Sequence, residues 1–130
     1  RFTRVRVAEA EDQDLCALWG SGAGDVWLSS RSRAFRYDGR AWARSPTPPG
    51  WGGELLHGSG ATNVWAAGAF TLSRFDGRAW SAPEQLYTKI PFGERTITEP
   101  LSISGLFVHP SGEVWVLSTG EVWRGRLTHA

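Results

Sequence analysis

The sequence LWGSGAGDVW at residues 18–27 recurs as LHGSGATNVW at residues 56–65, and YDGRAW at 37–42 recurs as FDGRAW at 75–80. The copies are 38 residues apart, and 13 of the 25 positions from Leu18 to Trp42 are identical to their counterparts. Self-similarity at a fixed period of this length is the signature of a repeat architecture. The sequence therefore predicts a structural unit that is duplicated within the chain.

A third, more divergent copy starts near Ile103. In it, Gly112-Glu113-Val114-Trp115 corresponds to the turn and the Val-Trp pair of the first two copies. Trp123-Arg124-Gly125-Arg126 aligns by similarity with Tyr37-Asp38-Gly39-Arg40, which places Arg124 where the other copies have aspartate. The longer spacing before this copy indicates an insertion of about a dozen residues within 81–100.

Turn signals divide each unit into four short extended runs. In the first unit these runs are 15–19, 26–30, 34–37 and 40–44, with a Gly-Ser-Gly-Ala-Gly-Asp turn after the first and an Asp38-Gly39 turn before the last. Asp-Gly between β-preferring residues is a strong hairpin signal, because glycine accepts the positive φ of a primed turn. Helical periodicity is absent, and residues 8–18 are expected to be a loop that enters a strand. Four strands in about 40 residues predict an all-β fold, a β-propeller built from four-stranded antiparallel blades.

The repeat phasing assigns every part of the chain to a blade. Residues 1–7 are predicted to be a lone outer strand that belongs to another blade, 15–46 blade 1, 53–82 blade 2, 83–100 an insertion loop, and 101–130 blade 3 with an incomplete outer strand. Three blades are too few for a ring, because propellers have roughly four to eight. The ring is therefore expected to close either by a homodimer with six blades or with the remainder of a longer polypeptide, and the N-terminal strand would complete a blade.

Composition narrows the range of functions. The 130 residues fit a single domain, and 14 basic against 13 acidic side chains give a net charge of +1, too balanced for a nucleic-acid-binding surface. No apolar run approaches the roughly 20 residues of a membrane-spanning helix. Cys16 is the single cysteine, so no disulfide can form within the chain. Neither nucleic acid nor membrane insertion is expected.

The repeat also resembles a known group of sequences. The stretch from Leu18 to Trp27, followed by Tyr37 to Trp42, is similar to the "LWGSGxxDVW...YDGxxW" repeats of β-propeller proteins from myxobacteria and other delta-proteobacteria. Proteins with these repeats are often secreted or lipid-anchored, so the resemblance implies an extracellular or cell-surface location. A fainter similarity, through Asp-Gly followed by Trp, connects the chain to sialidase-like and photosystem-assembly propellers.

Most repeated residues are expected to be structural. Positions filled in the same way in every blade are expected to pack between blades, as with Trp27, Trp65 and Trp115, or to form the turns, as with Asp38 and Asp76. His57 is expected to be a satisfied residue of an inner strand. The sequence contains no catalytic triad order, phosphate loop, paired carboxylates or metal-ligand spacing, so no enzyme activity, metal or cofactor is expected.

Candidate binding residues lie in the loops instead. The connections from strand four to the next strand one, and from strand two to strand three, are expected to meet on one face, called here the loop face. Aromatic rings beside guanidinium groups suit glycan stacking or a protein hot spot, and the predicted ligand-binding residues are Trp51, Phe70, Tyr87, Arg31 and Arg33. An equally weighted alternative is that Trp51 plugs a gap between blades.

These observations leave two functions open. The first is a non-enzymatic recognition module that binds carbohydrate or a protein partner through the loop face. The second is a structural module that completes a propeller ring, with itself or with the rest of a longer chain.

Overall fold

Four antiparallel sheets account for the regular structure of the chain, which is seen in a computed structural model. Residues 1–126 are described, and for 88–92, 95 and 97 the description is limited to the backbone. The expected outer strand of blade 3, at 127–130, lies outside the described residues. In the described part the helix is one 3-10 turn, Ala8–Ala10, and no helix there is long and apolar enough to cross a membrane.

Three of the sheets are consecutive meanders, which confirms the all-β, blade-like architecture. Blade 1 contains β1 (Leu15–Gly22), β2 (Asp25–Ser30), β3 (Ala34–Tyr37) and β4 (Trp42–Ser45) in spatial order. Blade 2 contains β5 (Leu55–Gly60), β6 (Asn63–Ala67), β7 (Thr71–Phe75) and β8 (Glu84–Gln85). The fourth sheet is a hairpin of β9 (Tyr87–Phe92) and β10 (Arg95–Pro100). Blade 3 contains β11 (Gly105–Val108), β12 (Val114–Ser118) and β13 (Glu121–Gly125).

The blades stack face to face through their inner strands. Strand β5 lies against β1 on one side and against β11 on the other, so the three sheets form an arc. Two apolar clusters fill the interfaces. The first joins Trp27 of blade 1 to Val64 and Phe75 of blade 2, and the second joins Trp65 of blade 2 to Val114 of blade 3. Blade 2, which lies between the other two, is therefore covered on both faces.

Two boundaries differ from the sequence prediction. The Gly-Ser-Gly stretch belongs to β1 and not to the turn, since Gly22 pairs with Asp25 and leaves only two residues between the strands. The segment 83–100 is not a loop. It begins with β8, the outer strand of blade 2, and continues as the hairpin β9–β10, in which Arg95 pairs with Phe92 across Gly93 at φ +62°.

The outer strand of blade 2 is interrupted. Trp80 forms a bridge with Phe75, and pairing resumes at Glu84, which pairs with Leu72. Between them the hydroxyl of Ser81 accepts the N–H of Arg74. Pro83, which has no N–H to donate, lies in the unpaired stretch. The outer strand of blade 2 is therefore broken between residues 81 and 83, but Trp80 still pairs with β7.

Residues 1–7 form no strand within the described part of the chain, and Phe2 and Val5 are exposed. Arg6 forms an ion pair with Glu11, and the turn Ala8–Ala10 lies beside β4. That residues 1–7 serve as an outer strand stays a prediction.

Candidate functional site

The loop face predicted from the strand order is present. Four contacts join the connections that enter each blade to those between strands two and three. The N–H of Gly53 donates to the carbonyl of Arg31 over 3.2 Å, and the N–H of Ile103 donates to that of Ala69 over 2.7 Å. The hydroxyl of Ser30 donates to the side-chain oxygen of Gln13 over 3.0 Å, and Leu86 donates to the carbonyl of Phe70 over 3.4 Å.

The predicted binding residues fall into two separate groups on this face. Phe70 is 44% exposed and Tyr87 is 56% exposed. The two are close because Leu86, which precedes Tyr87 in the chain, donates its N–H to the carbonyl of Phe70. Arg31 is exposed and Arg33 half-buried in the loop of blade 1, where the N–H of Arg33 donates to the hydroxyl of Ser30. Backbone bonds therefore bring Phe70 close to the Tyr87 segment, and they attach Arg31 to the start of blade 2.

Trp51 is in the core and not on the surface. It is 5% exposed, and its ring packs against Trp80 with centroids 5.2 Å apart. The turn Pro48-Pro49-Gly50 directs it inward: the N–H of Trp51 donates to the carbonyl of Pro48, and Gly50 adopts φ +81°. This structure therefore corrects the assignment of Trp51 to a ligand site and supports the alternative that it plugs the space between blades 1 and 2.

Trp27 and Trp65 pack between blades, as expected, whereas Trp115 lies on the face of blade 3 that has no neighbour in the described structure. Trp27 and Trp115 each lie beside an arginine that sequence reasoning missed. Arg36 lies 5.2 Å from the ring centre of Trp27 and forms an ion pair with Asp25 over 2.8 Å. Arg124 lies 5.4 Å from the ring centre of Trp115. The sequence signal that could have identified these arginines is the recurrence of Arg36 as Arg74, 38 residues later.

Strand register corrects the alignment of the third unit. Trp27, Trp65 and Trp115 pair with Arg36, Arg74 and Arg124. Arg124 is therefore the counterpart of these arginines and not of the turn aspartates. The next residue, Gly125, occupies the position that Tyr37 and Phe75 hold in the other blades, because all three pair with the valine of the Val-Trp motif.

Each blade has a leading face, toward the preceding blade, and a trailing face, toward the next. At the two ends of the arc these faces are partly uncovered in the described structure: Phe35 on the leading face of blade 1 is fully buried, but other positions are exposed. Leu56 on the leading face of blade 2 is 8% exposed, whereas its counterpart Leu18 in blade 1 is 67% exposed. On trailing faces, Leu72 of blade 2 is 7% exposed and its counterpart Val122 of blade 3 is 63% exposed.

A cavity of about 230 Å³ opens between blades 2 and 3. Its wall is largely apolar, with Trp65 and Leu72 from blade 2, Leu101 from the entry to blade 3, and Trp123 and Gly125 from β13. Tyr87, Glu84 and Arg126 also line it. Tyr87, a predicted site residue, therefore borders this cavity.

The side chains of the two turn aspartates, Asp38 and Asp76, are engaged in hydrogen bonds within their own turns. Asp38 accepts the N–H groups of Arg40 and Ala41 over 2.8 and 3.0 Å, and the bonds from Ala41 and Arg40 lower the pKa of Asp38. The bonds from Arg78 and Ala79 likewise lower the pKa of Asp76. These two aspartates stabilise turns, as expected.

His57 joins two blades. Its Nδ1 accepts the backbone N–H of Val108 over 2.9 Å, and its ring packs against Phe107 at 5.1 Å. Burial lowers the pKa of His57, which favours the neutral form that this bond requires. Among the described residues no group of three or more His, Cys, Asp and Glu side chains could hold a metal ion.

Comparisons with known proteins add little. No family model matches the chain. No curated protein matches it. One solved structure, described as YCF48 bound to D1 peptide, aligns with 93% of this chain at 15% identity and a TM-score of 0.49. The chain spans 53% of that structure's length. The blade architecture and the strand register therefore carry the assignment of the fold.

Proposed function

We propose that this chain is a non-enzymatic assembly module whose two end faces dock on each other in a second copy, so that two three-bladed arcs close a six-bladed ring. The supporting observation is the matched exposure of equivalent residues. Leu56 and Leu72 are buried where a neighbouring blade is present, and Leu18 and Val122 are exposed where none is described. Apolar surface of this kind in a contiguous patch marks an interaction site.

The second copy is favoured as the occupant because the required interface already exists twice within the chain. Trailing faces carry tryptophan and small or branched apolar residues, as at Trp65 and Ala67, and blade 3 carries Trp115 and Leu117 at these positions. Leading faces carry the Leu-Val-aromatic set, and blade 1 supplies it with Leu18, Val26, Leu28, Tyr37 and Trp42. In blade 1 the rings of Tyr37 and Trp42 are 5.3 Å apart, as in the 5.5 Å pair of Phe75 and Trp80. Blade 1 therefore has the side chains to cover blade 3 of another copy.

Light scattering of the purified chain tests this proposal. The expected mass is twice the 14.3 kDa of one chain. Leu18→Asp and Val122→Asp should each give a monomer, because a carboxylate would be buried unpaired in the interface. Phe70→Asp, at an exposed residue of the loop face, is the matched control and should leave the dimer intact. A monodisperse monomer for the unmodified chain contradicts the ring.

A second candidate function is recognition of a protein or glycan at the loop face. Two exposed aromatic residues, Phe70 and Tyr87, support it, because such rings on a rigid scaffold provide contact area at low entropic cost. A glycan array, with the double variant Phe70→Ala and Tyr87→Ala as control, tests the carbohydrate form of this candidate. Specific binding that the double variant loses would support it, and uniform absence of binding would contradict it.

A further inference from the structure

The two interfaces between blades are filled differently. Between blades 1 and 2, four aromatic rings interlock: Trp27 lies 4.7 Å from Phe75 and 5.2 Å from Trp80, and Trp51 lies 5.2 Å from Trp80. All four are buried. Trp80 lies in the segment that follows β7, and its backbone forms a bridge with Phe75 at the end of that strand.

Between blades 2 and 3 most of that aromatic set is missing. Trp65 takes the place of Trp27, but the entry segment contributes Leu101, four residues before β11, where Trp51 stands four residues before β5. Gly125 stands at the position of Phe75. Two large rings are thus replaced by an isobutyl group and a hydrogen, and the cavity lies beside these residues.

The cavity has the size and wall of a site for an aromatic ring. An apolar cavity of about 150 Å³ is enough to bind benzene. This cavity, of about 230 Å³, is lined by the apolar side chains of Trp65, Leu72, Leu101 and Val116. A ring in the position of Trp80 would lie against Trp65, as Trp80 lies against Trp27.

In blades 1 and 2 the fourth strand lies at the outer edge of the sheet, and the described part of blade 3 contains no such strand. Strands β4 and β8 cover β3 and β7, whereas the described sheet of blade 3 ends at β13. Within the described residues no strand pairs with the outer edge of β13, and an added strand would bond to its N–H and C=O groups.

The segment 2–5 has the features of that strand. Phe2-Thr3-Arg4-Val5 repeats the aromatic-x-Arg pattern of Trp42-Ala43-Arg44-Ser45, and each segment precedes the first strand of a blade. Phe2 is fully exposed and Val5 is 70% exposed, and residues 1–7 pair with no strand in the described part of the chain.

We propose that the cavity between blades 2 and 3 is a binding site for the Phe2 side chain of a second copy, whose residues 2–5 add to β13 as the fourth strand of blade 3. This inference rests on the proposed ring, because docking of blade 1 of one copy on blade 3 of the other brings the segment before blade 1 to this edge. The six-bladed ring would then close through exchange of an N-terminal strand between the two copies, as well as through contact between their sheet faces.

The test uses a synthetic peptide with the sequence of residues 1–7 and the 130-residue chain carrying Phe2→Ala, in which the competing ring is removed. Calorimetry should detect saturable binding of this peptide. The same peptide with Phe2→Ala should bind at least about tenfold more weakly, since truncating a buried aromatic anchor removes a hot spot. A Thr3→Ala peptide is the matched control, because alternate residues of a strand face opposite sides, and it should bind like the original.

A second variant locates the site. Gly125→Trp places an indole in the cavity from within and should weaken binding of the peptide at least about tenfold. It should not unfold the protein, because a Cβ at Gly125 meets no heavy atom within 4 Å, and thermal melting checks this. Equal binding of the original and the Phe2→Ala peptides, no binding of either, or unchanged binding to the Gly125→Trp chain overturns the inference.

The outcomes separate the two proposals. A dimeric chain that does not bind the peptide refutes the strand exchange and leaves the ring intact. A monomeric chain that binds the peptide through Phe2 refutes the ring, and with it the second copy as the source of the strand, while the cavity is still supported as a site for an aromatic strand.

Discussion

The ring of Trp51 packs edge-on against the ring of Trp80, with centroids 5.2 Å apart and an interplanar angle of 67°. Trp51 precedes β5 and Trp80 lies between β7 and β8, so their contact joins the entry of blade 2 to its outer strand. The same cluster contains Trp27 of blade 1. An interblade plug formed in this way contributes to folding and is not free to contact a ligand.

Trp51→Ala should therefore lower the free energy of unfolding by about 3 to 5 kcal/mol, the usual cost of truncating a buried Trp. Chemical denaturation measures the change. Phe70→Ala, at a residue 44% exposed, is the control and should cost no more than about 1 kcal/mol. Equal, small effects of both substitutions would place Trp51 outside the core.

Trp27→Ala and Trp65→Ala should each destabilise the protein by about 3 to 5 kcal/mol for the same reason. The loss should be larger for Trp27, which is fully buried against Phe75 and Trp80, than for Trp65, which borders the cavity. Denaturation of the two variants under identical conditions checks the order. Because docking of Phe2 would fill the cavity, both substitutions are made in the Phe2→Ala chain, and a larger loss at Trp65 there would contradict this order.

Acidification below about pH 6.5 should weaken the contact between blades 2 and 3 through His57. Its pKa is lowered in the folded state from the ordinary 6.5, so between the folded value and 6.5 the unfolded chain binds more protons. The free energy of unfolding therefore decreases as the pH falls through this window, and it is unaffected by His57 above it. Protonation at Nδ1 would also remove the acceptor for the N–H of Val108.

Melting temperatures between pH 7 and pH 5 test this dependence. His57→Gln is the control, because its amide oxygen can accept a hydrogen bond but does not titrate. The unmodified chain should lose more stability on acidification than the variant, and parallel curves would exclude His57 as the cause.

The turn aspartates should act at lower pH. The pKa of Asp38 and that of Asp76 are lowered below 3.8 by the backbone N–H groups that they accept. Their contribution to stability is present above 3.8 and is lost as the pH falls through the folded values. Thermal melting from pH 6 to pH 2 should show a steeper loss for the unmodified chain than for the double variant Asp38→Asn and Asp76→Asn. An equally steep loss in both would show that these carboxylates do not drive acid unfolding.

The repeat in the sequence was sufficient to predict the meanders, the stacking of three blades and the burial of Trp27 and Trp65. These features follow from local patterns: the alternation of residues sets the faces of a strand, Asp-Gly sets the turns, and equal spacing places equivalent residues in equivalent environments. The turn roles of Asp38 and Asp76 were predicted for the same reason. His57 was predicted to be a satisfied residue of an inner strand, but its bond to Val108 of the next blade was not predicted. The loop face followed from the order of the strands.

Tertiary structure alone decided the features that depend on contacts between distant segments. Trp51 is buried because Trp80, from the far side of the blade, packs against it, and no local pattern at residues 48–53 encodes that contact. The position of Gly125 depends on pairing with Val114, which overrides the similarity of residues 123–126 to a Tyr-Asp-Gly-Arg turn. The cavity between blades 2 and 3 exists because rings contributed by two separate segments are absent from one interface. Volume in a core is set jointly by all the side chains that meet there, so only the assembled structure reveals it.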